Sequence, residues 1–212
     1  MVDDRRHTEQ GNERKQQLLR AAEQLFTEKG YGATRISDIC AAAGVAKGLF
    51  YWYFPTKESL FAELVRTMRL NLRRTQAGSM DPAADAVTRI RQGAEASVRF
   101  MAEHQTYFAL LDVERTDDTL SSVMKEGSDV YASDVRRLIK AAQRDGLLPD
   151  GDPSFYAIGV LGSVSSFSHA HRNGRLAIPI DDLAALVGDW VMQALTGRAA
   201  TSATGRGESS PR

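Results

Sequence analysis

The chain has 212 residues, 42% of them apolar, and its 27 Lys and Arg stand against 27 Asp and Glu. That ordinary globular mixture excludes disordered and fibrous classes, and the length suits one large domain or two small ones. Zero net charge argues against a protein that coats nucleic acid or membrane with its whole surface. The one cysteine, Cys40, excludes an intramolecular disulfide framework and a multi-cysteine zinc site. The opening MVDDRRHTEQGNERK has no apolar signal-peptide core, and no stretch nears the roughly 18–20 consecutive apolar residues of a membrane span. A cytoplasmic location is the expectation.

Residues 1–11 are charged and lack apolar periodicity, so they are expected to be a disordered arm. Leu18, Leu19, Ala22, Leu25 and Phe26 then mark one face of a first helix, which Gly30 and Gly32 end. After Pro55, Leu60, Phe61, Leu64, Val65 and Met68 repeat in the same way. Asp81-Pro82 predicts the start of a long helix carrying Val87, Ile90, Ala94, Val98 and Met101. Val130, Val135, Leu138, Ile139 and Ala142 belong to a helix that stops near Gly146, and Asp152-Pro153 opens a very apolar run through Phe167. Pro179 and Asp181 precede a last helix with Leu183, Leu186, Val187, Trp190, Val191 and Leu195. The end, residues 197–212, is Gly, Ser, Thr and Ala rich and is expected to be a disordered tail. An all-α fold of about eight or nine helices follows.

Residues 33–61 read ATRISDICAAAGVAKGLFYWYFPTKESLF. Thr34 or Ser37 is placed to cap a short helix that ends in Ala41, Ala42 and Ala43. Gly44 supplies the turn and Val45 an apolar plug. A second short helix runs from about Ala46 to Phe54, which makes a helix-turn-helix. Its first turn, Ala46, Lys47 and Gly48, is small and basic, and amides there can meet phosphate. Tyr51, Trp52 and Tyr53 follow in succession, and three adjacent aromatics cannot all face inward. Leu49, Phe50 and Phe54 are assigned to the core, and exposed aromatics on such a helix contact thymine methyls, sugars or phosphates. Charge partition points the same way: residues 1–75 hold 13 Lys and Arg against 9 Asp and Glu, and the remainder holds 14 against 18.

This segment resembles the DNA-binding domain of the TetR family of transcriptional regulators. The resemblance covers about residues 14–62 and rests on Ile36, Ile39, Ala43, Gly44, Val45, Lys47, Gly48, Leu49, Tyr51, Tyr53, Phe54, Lys57, Glu58 and Leu60, with Ala21, Leu25, Phe26, Gly30 and Tyr31 before them. Cys40 stands where the family usually has Ala, and Ala46 where it often has Ser. The resemblance implies DNA contacts from Tyr51 and Tyr53, with Lys47 and Gly48 at the groove entrance and Lys57 on phosphate. Thr34, Arg35 and Ser37 would add phosphate contacts from the first helix of the motif, and Ala46 and Trp52 complete the candidate surface.

It further implies a helix-turn-helix domain over 12–56, a connecting helix over 57–75 and a helical regulatory and dimerisation domain over 76–196. Gly159, Gly162 and Ser166 on one late helix, with Leu183, Val187, Trp190 and Val191 on the other, are the candidate dimer interface. Candidate ligand residues are Phe100, Met101, His104, Tyr107, Phe108, Leu111, Met124, Tyr131, Phe155 and Phe167, suited to a moderately hydrophobic effector. The implied function is a repressor that binds palindromic operator DNA as a homodimer and is released by a small ligand, with no cofactor and no metal. The alternatives are a helical enzyme or a protein-only adaptor. Against the enzyme, no GxSxG or GxGxxG occurs, and His169 and His171 project to different sides of a helix. An adaptor would not need the small basic turn ahead of Tyr51 and Tyr53.

Overall fold

The computed structural model describes residues 2–114 and 132–197. Among them, in chain order, are α1 (Val2–Lys29), α2 (Ile36–Ala43), α3 (Lys47–Tyr53), α4 (Lys57–Ser79), α5 (Ala86–Glu103), α6 (Gln105–Glu114), α7 over 132–144, α8 (Pro153–Arg172) and α9 (Ile180–Thr196). The expected tail lies, from residue 198 on, outside the described residues.

α1 begins at Val2, so residues 2–11 are helical rather than a separate disordered arm. The stretch has no proline to break a helix. Missing apolar periodicity shows only that a segment buries little, not that it leaves the helical state. Gly30 ends α1 at φ +82°, its amide donating to the Phe26 carbonyl at 2.8 Å.

Two helix starts differ from expectation. Neither Thr34 nor Ser37 caps α2: Arg35 takes the cap position, and the Asp38 carboxylate accepts from its amide at 3.2 Å. Asp81-Pro82 forms a turn in which Asp81 accepts from the Ala83 amide at 2.9 Å. α5 starts four residues on, where Asp85 accepts from the Val87 and Thr88 amides, each at 2.9 Å. Asp152-Pro153 does open α8, with Asp152 accepting from the Ser154 amide at 2.8 Å. Gly44 closes α2 in the left-handed region, φ +64° and ψ 35°, and there is no positive φ outside glycine among the described residues.

Two apolar cores organise these helices. The first joins Leu18, Ala22 and Phe26 of α1 to Ile39, Phe50, Leu60 and Phe61, and the rings of Phe26, Tyr31 and Phe61 meet with centroids 5.1–6.1 Å apart. Tyr107 and Leu110 of α6 belong to this same core. The second core gathers Val87, Ile90, Ala94 and Val98 of α5 with Ile139 and Ala142 of α7, Val160 and Val164 of α8, and Leu183, Val187, Val191 and Leu195 of α9.

α5 is the central strut, packed against α9, α4 and α8. Its approach to α9 is close: a Cβ added at Gly188 would stand 2.8 Å from the Glu95 carboxylate. Arg91 pairs with Asp189 at 2.7 Å and Arg99 with Asp181 at 2.8 Å, and Glu95 joins both arginines. On its other side, Gln76 of α4 donates to the Ser97 hydroxyl at 2.8 Å.

Candidate nucleic-acid interface

α2 and α3 meet through the Gly44 turn, where the Val45 amide donates to the Cys40 carbonyl at 3.0 Å. Ile39 and Phe50 face the core, so the opposite side of the pair is turned outward. Ala41 and Ala42 lie exposed, and only Ala43 packs inward, so the run of alanines does not serve a close helix contact along its length. Cys40 is buried between the helices, and burial pushes its thiol up, with nearby Lys47 pulling the other way.

The outward side of α3 carries much of the expected set. Ala46, Lys47 and Gly48 are exposed, as are Arg35 and Ser37 at the start of α2. Tyr51 is 47% exposed and Trp52 74%. The Lys47 ammonium lies 6.0 Å from the Tyr51 ring centre, one turn along the same face. The third aromatic, Tyr53, is half-buried, and its hydroxyl donates to the Gly11 carbonyl of α1 at 2.7 Å.

Two of the expected phosphate contacts, Thr34 and Lys57, hydrogen-bond within the protein. Thr34 is 1% exposed, and its hydroxyl donates to the Gly30 carbonyl at 2.8 Å and the Leu25 carbonyl at 3.2 Å. It closes the end of α1, because the last carbonyls of a helix need donors from outside it. The Lys57 ammonium donates to the Tyr31 carbonyl at 2.6 Å and the Thr34 carbonyl at 2.9 Å, and lies 4.2 Å from the Tyr31 ring centre. It therefore brackets the α1–α2 turn onto the start of α4, which a motif read as linear spacing does not reveal. Beside it, Glu58 is held below the usual carboxylate range by backbone hydrogen bonding at the helix start and by Thr56. Lys15 and Arg66 hold Glu63 low in spite of burial, which ties α1 to α4.

The domain models place this geometry. Residues 18–64 match the model described as bacterial regulatory proteins, tetR family. Residues 83–195, more than half the chain, match the tetracyclin repressor-like C-terminal domain. The chain belongs to the TetR family.

It is accordingly a helix-turn-helix DNA-binding transcriptional regulator, and TetR-family regulators are non-enzymatic. The HTH-type transcriptional activator FasR of Mycolicibacterium smegmatis is 29% identical over 181 residues, 84% of this chain and 80% of FasR. The HTH-type transcriptional regulator YhgD of Bacillus subtilis is 26% identical over 132 residues, and the match spans 62% of each protein's length. The fold is that of the fatty acid degradation regulator FadR from Bacillus halodurans, with a TM-score of 0.77 at 20% identity over 87% of this chain and 97% of that one.

The C-terminal part of this TetR-family chain departs from expectation in two ways. First, the candidate ligand residues among the described ones lie in several places. Phe100 is buried and its ring meets His104 at 4.2 Å and Phe108 at 6.4 Å, while Tyr107, Phe108 and Leu111 lie in or against the first core. Met101 and Phe167 pack on the second core, and Phe155 is 74% exposed on α8. Met124 and Tyr131 lie outside the described residues. The Phe100–His104–Phe108 corner borders the DNA-reading head: Thr27 of α1 donates to the Thr106 carbonyl at 3.4 Å. There, burial pushes the Glu23 carboxyl up, opposed by the charge of His104.

Second, Leu183, Val187 and Val191 are buried within the chain against α5, so they are not available to a second copy. Gly159, Gly162, Ser166 and Trp190 are exposed, as expected. The sequence reading missed Ile158 and Leu186, 68% and 54% exposed, and took Phe155 for a ligand residue. Spacing carried the signal: 155, 158, 159 and 162 form one stripe of α8, and 186 and 190 one of α9. Among the described residues no helix is long and apolar enough to cross a membrane, and no group of three or more His, Cys, Asp or Glu could hold a metal ion.

Proposed function

We propose that this protein is a repressor that binds a palindromic operator as a homodimer and is released by a small, moderately hydrophobic ligand. The observation that carries the DNA reading is the outward face of α3, where Lys47, Gly48, Tyr51 and Trp52 stand exposed together. Arg35 and Ser37 flank that face from α2, and phosphate contacts from them would set register on the duplex. Thr34, Tyr53 and Lys57 support the surface from within rather than forming it.

The exposed stripes of α8 and α9, with Phe155, Ile158, Leu186 and Trp190, support a homodimer. A two-fold pair presents two α3 helices to two half-sites, which is why the operator is palindromic. The effector acts at the Phe100–His104–Phe108 corner, because Tyr107 from the same short helix is part of the head's core. A ligand seated there would prefer one position of α1 over another, and that difference is what opposes DNA.

Gel shift with the DNA upstream of the protein's own gene, at several salt concentrations, tests the reading. Binding that weakens steeply with salt is expected, and Lys47→Ala flattens the slope by roughly one released counterion per half-site. No salt-dependent binding to any nearby promoter would overturn it. A reporter driven by the bound promoter gives the sign of control: repression predicts higher output when the gene is deleted, and lower output would place the chain with activators such as FasR.

A further inference from the structure

The three consecutive aromatics of α3 occupy three different environments. Tyr51 sits beside the Lys47 ammonium, a neighbourhood suited to phosphate. Tyr53 is half-buried, and its hydroxyl is latched to the Gly11 carbonyl of α1 at 2.7 Å. A Cβ at Gly11 would stand 3.4 Å from that hydroxyl, in ordinary contact with it. Trp52 is the most exposed of the three at 74%, and its ring packs edge-on against Tyr53, centroids 4.6 Å apart and planes at 85°.

One turn before Trp52, on the same row of the helix, is Gly48. A Cβ at Gly48 would meet nothing within 4 Å, so the row is open beside the indole. An apolar plate next to a vacant helix surface fits the edge of a base pair carrying an apolar group. In the major groove that group is the C5-methyl of thymine, the feature that separates thymine from cytosine without a hydrogen bond.

Resting on the proposed DNA reading, we infer that Trp52 is a specificity-determining residue that reads a thymine methyl, and that Tyr53 is its positioning residue, held by the Gly11 latch, rather than a DNA contact. The latch fixes the Tyr53 ring, the ring fixes the indole plane, and α1 thereby sets the pitch at which α3 reads. The row through Gly48 and Trp52 serves base edges, and the row through Lys47 and Tyr51 serves the backbone.

The test uses the full chain and a duplex that it selects from a random-sequence library. Each thymine is replaced in turn by deoxyuracil, which removes only the methyl. At one thymine of each half-site, affinity is expected to fall about three- to fivefold, the scale of burying one methyl group. Trp52→Ala should bind thymine and uracil duplexes alike at that position. Tyr53→Phe, which keeps the ring and loses the latch, should show an intermediate thymine-to-uracil ratio. The ratio is unaffected by any loss of folded protein, because that lowers both affinities equally. No methyl-sensitive position, or a wild-type ratio in Trp52→Ala, overturns the role of Trp52. A wild-type ratio in Tyr53→Phe overturns the positioning role. Failure of the full chain to select any sequence would overturn the DNA reading, and this inference with it.

Discussion

Two glycines four residues apart show how differently one residue type can work. Gly44 lies at φ +64° and Gly48 has no positive φ, yet an added Cβ would meet no neighbour at either. At Gly44 the requirement is the backbone itself, because an L side chain in the left-handed region costs roughly 1–2 kcal/mol. At Gly48 alanine is the better helix former by roughly 0.5–1 kcal/mol, so the fold itself does not require the glycine. Gly44→Ala is therefore expected to lower the midpoint of thermal unfolding. Gly48→Ala should leave it equal or higher while weakening DNA binding, as anisotropy with a labelled operator would show. A stabilised Gly48→Ala with intact affinity would remove Gly48 from the interface. Thr34 and Lys57 teach the converse lesson. Hydroxyl and ammonium groups near a recognition helix look like phosphate contacts in a linear sequence, but here the Thr34 hydroxyl bonds carbonyls at the end of α1 and the Lys57 ammonium bonds carbonyls of the α1–α2 turn.

At the scale of the element, helix existence was legible and helix ends were less so. Periodicity identified α1, α4, α5, α8 and α9, because a buried stripe leaves a 3.6-residue repeat whatever it packs against. The start of α5 was misplaced because Asp81 and Asp85 are both good caps, and only the chain's path decides which one accepts from amides of the helix. Hydrogen bonds from the Thr88 amide and hydroxyl and the Val87 amide hold Asp85 below the usual carboxylate range. A depressed folded-state value means stability that is present above the ordinary value and lost as pH falls through the folded one. Asp85→Asn should thus be less stable than wild type at pH 7, with a gap that closes below about pH 4. Asp85→Ala should lose about 1 kcal/mol in addition to that pH dependence, as the cap oxygen goes too. Melting curves from pH 7 to 3 decide it, and an Asn gap constant with pH would show that the carboxylate charge contributes nothing. Glu58, also at a helix start and also depressed, should steepen the acid limb in the same sense. Glu23, raised by burial, works in the opposite sense, its contribution being lost as pH rises.

At the scale of the molecule, the all-α fold and the DNA-reading head were readable, while the partition of the late helices was not. A stripe on α9 shows that something covers it, but not whether the cover is α5 or a second copy. Leu183, Val187 and Val191 took the first role, while Leu186 and Trp190 stay exposed within the chain. Ligand residues were least legible, since an aromatic in a core and one beside a cavity obey the same periodicity. Fully burying a large apolar side chain contributes roughly 1.5–3 kcal/mol, so covering Phe155, Ile158, Leu186 and Trp190 in two copies would favour association. Sedimentation equilibrium should find a dimer, and Ile158→Asp with Trp190→Asp a monomer of unchanged helical content. A wild-type monomer at tens of micromolar would sink the homodimer.

The seating of Tyr107 and Leu110 in the first core has a practical consequence for exchange between relatives. The head is not a detachable cassette. A chimaera that grafts residues 1–80 onto a foreign regulatory half replaces both side chains with whatever that half offers, and leaves the α1 side of the core mismatched. A graft that carries α6 along with the head keeps that seam intact.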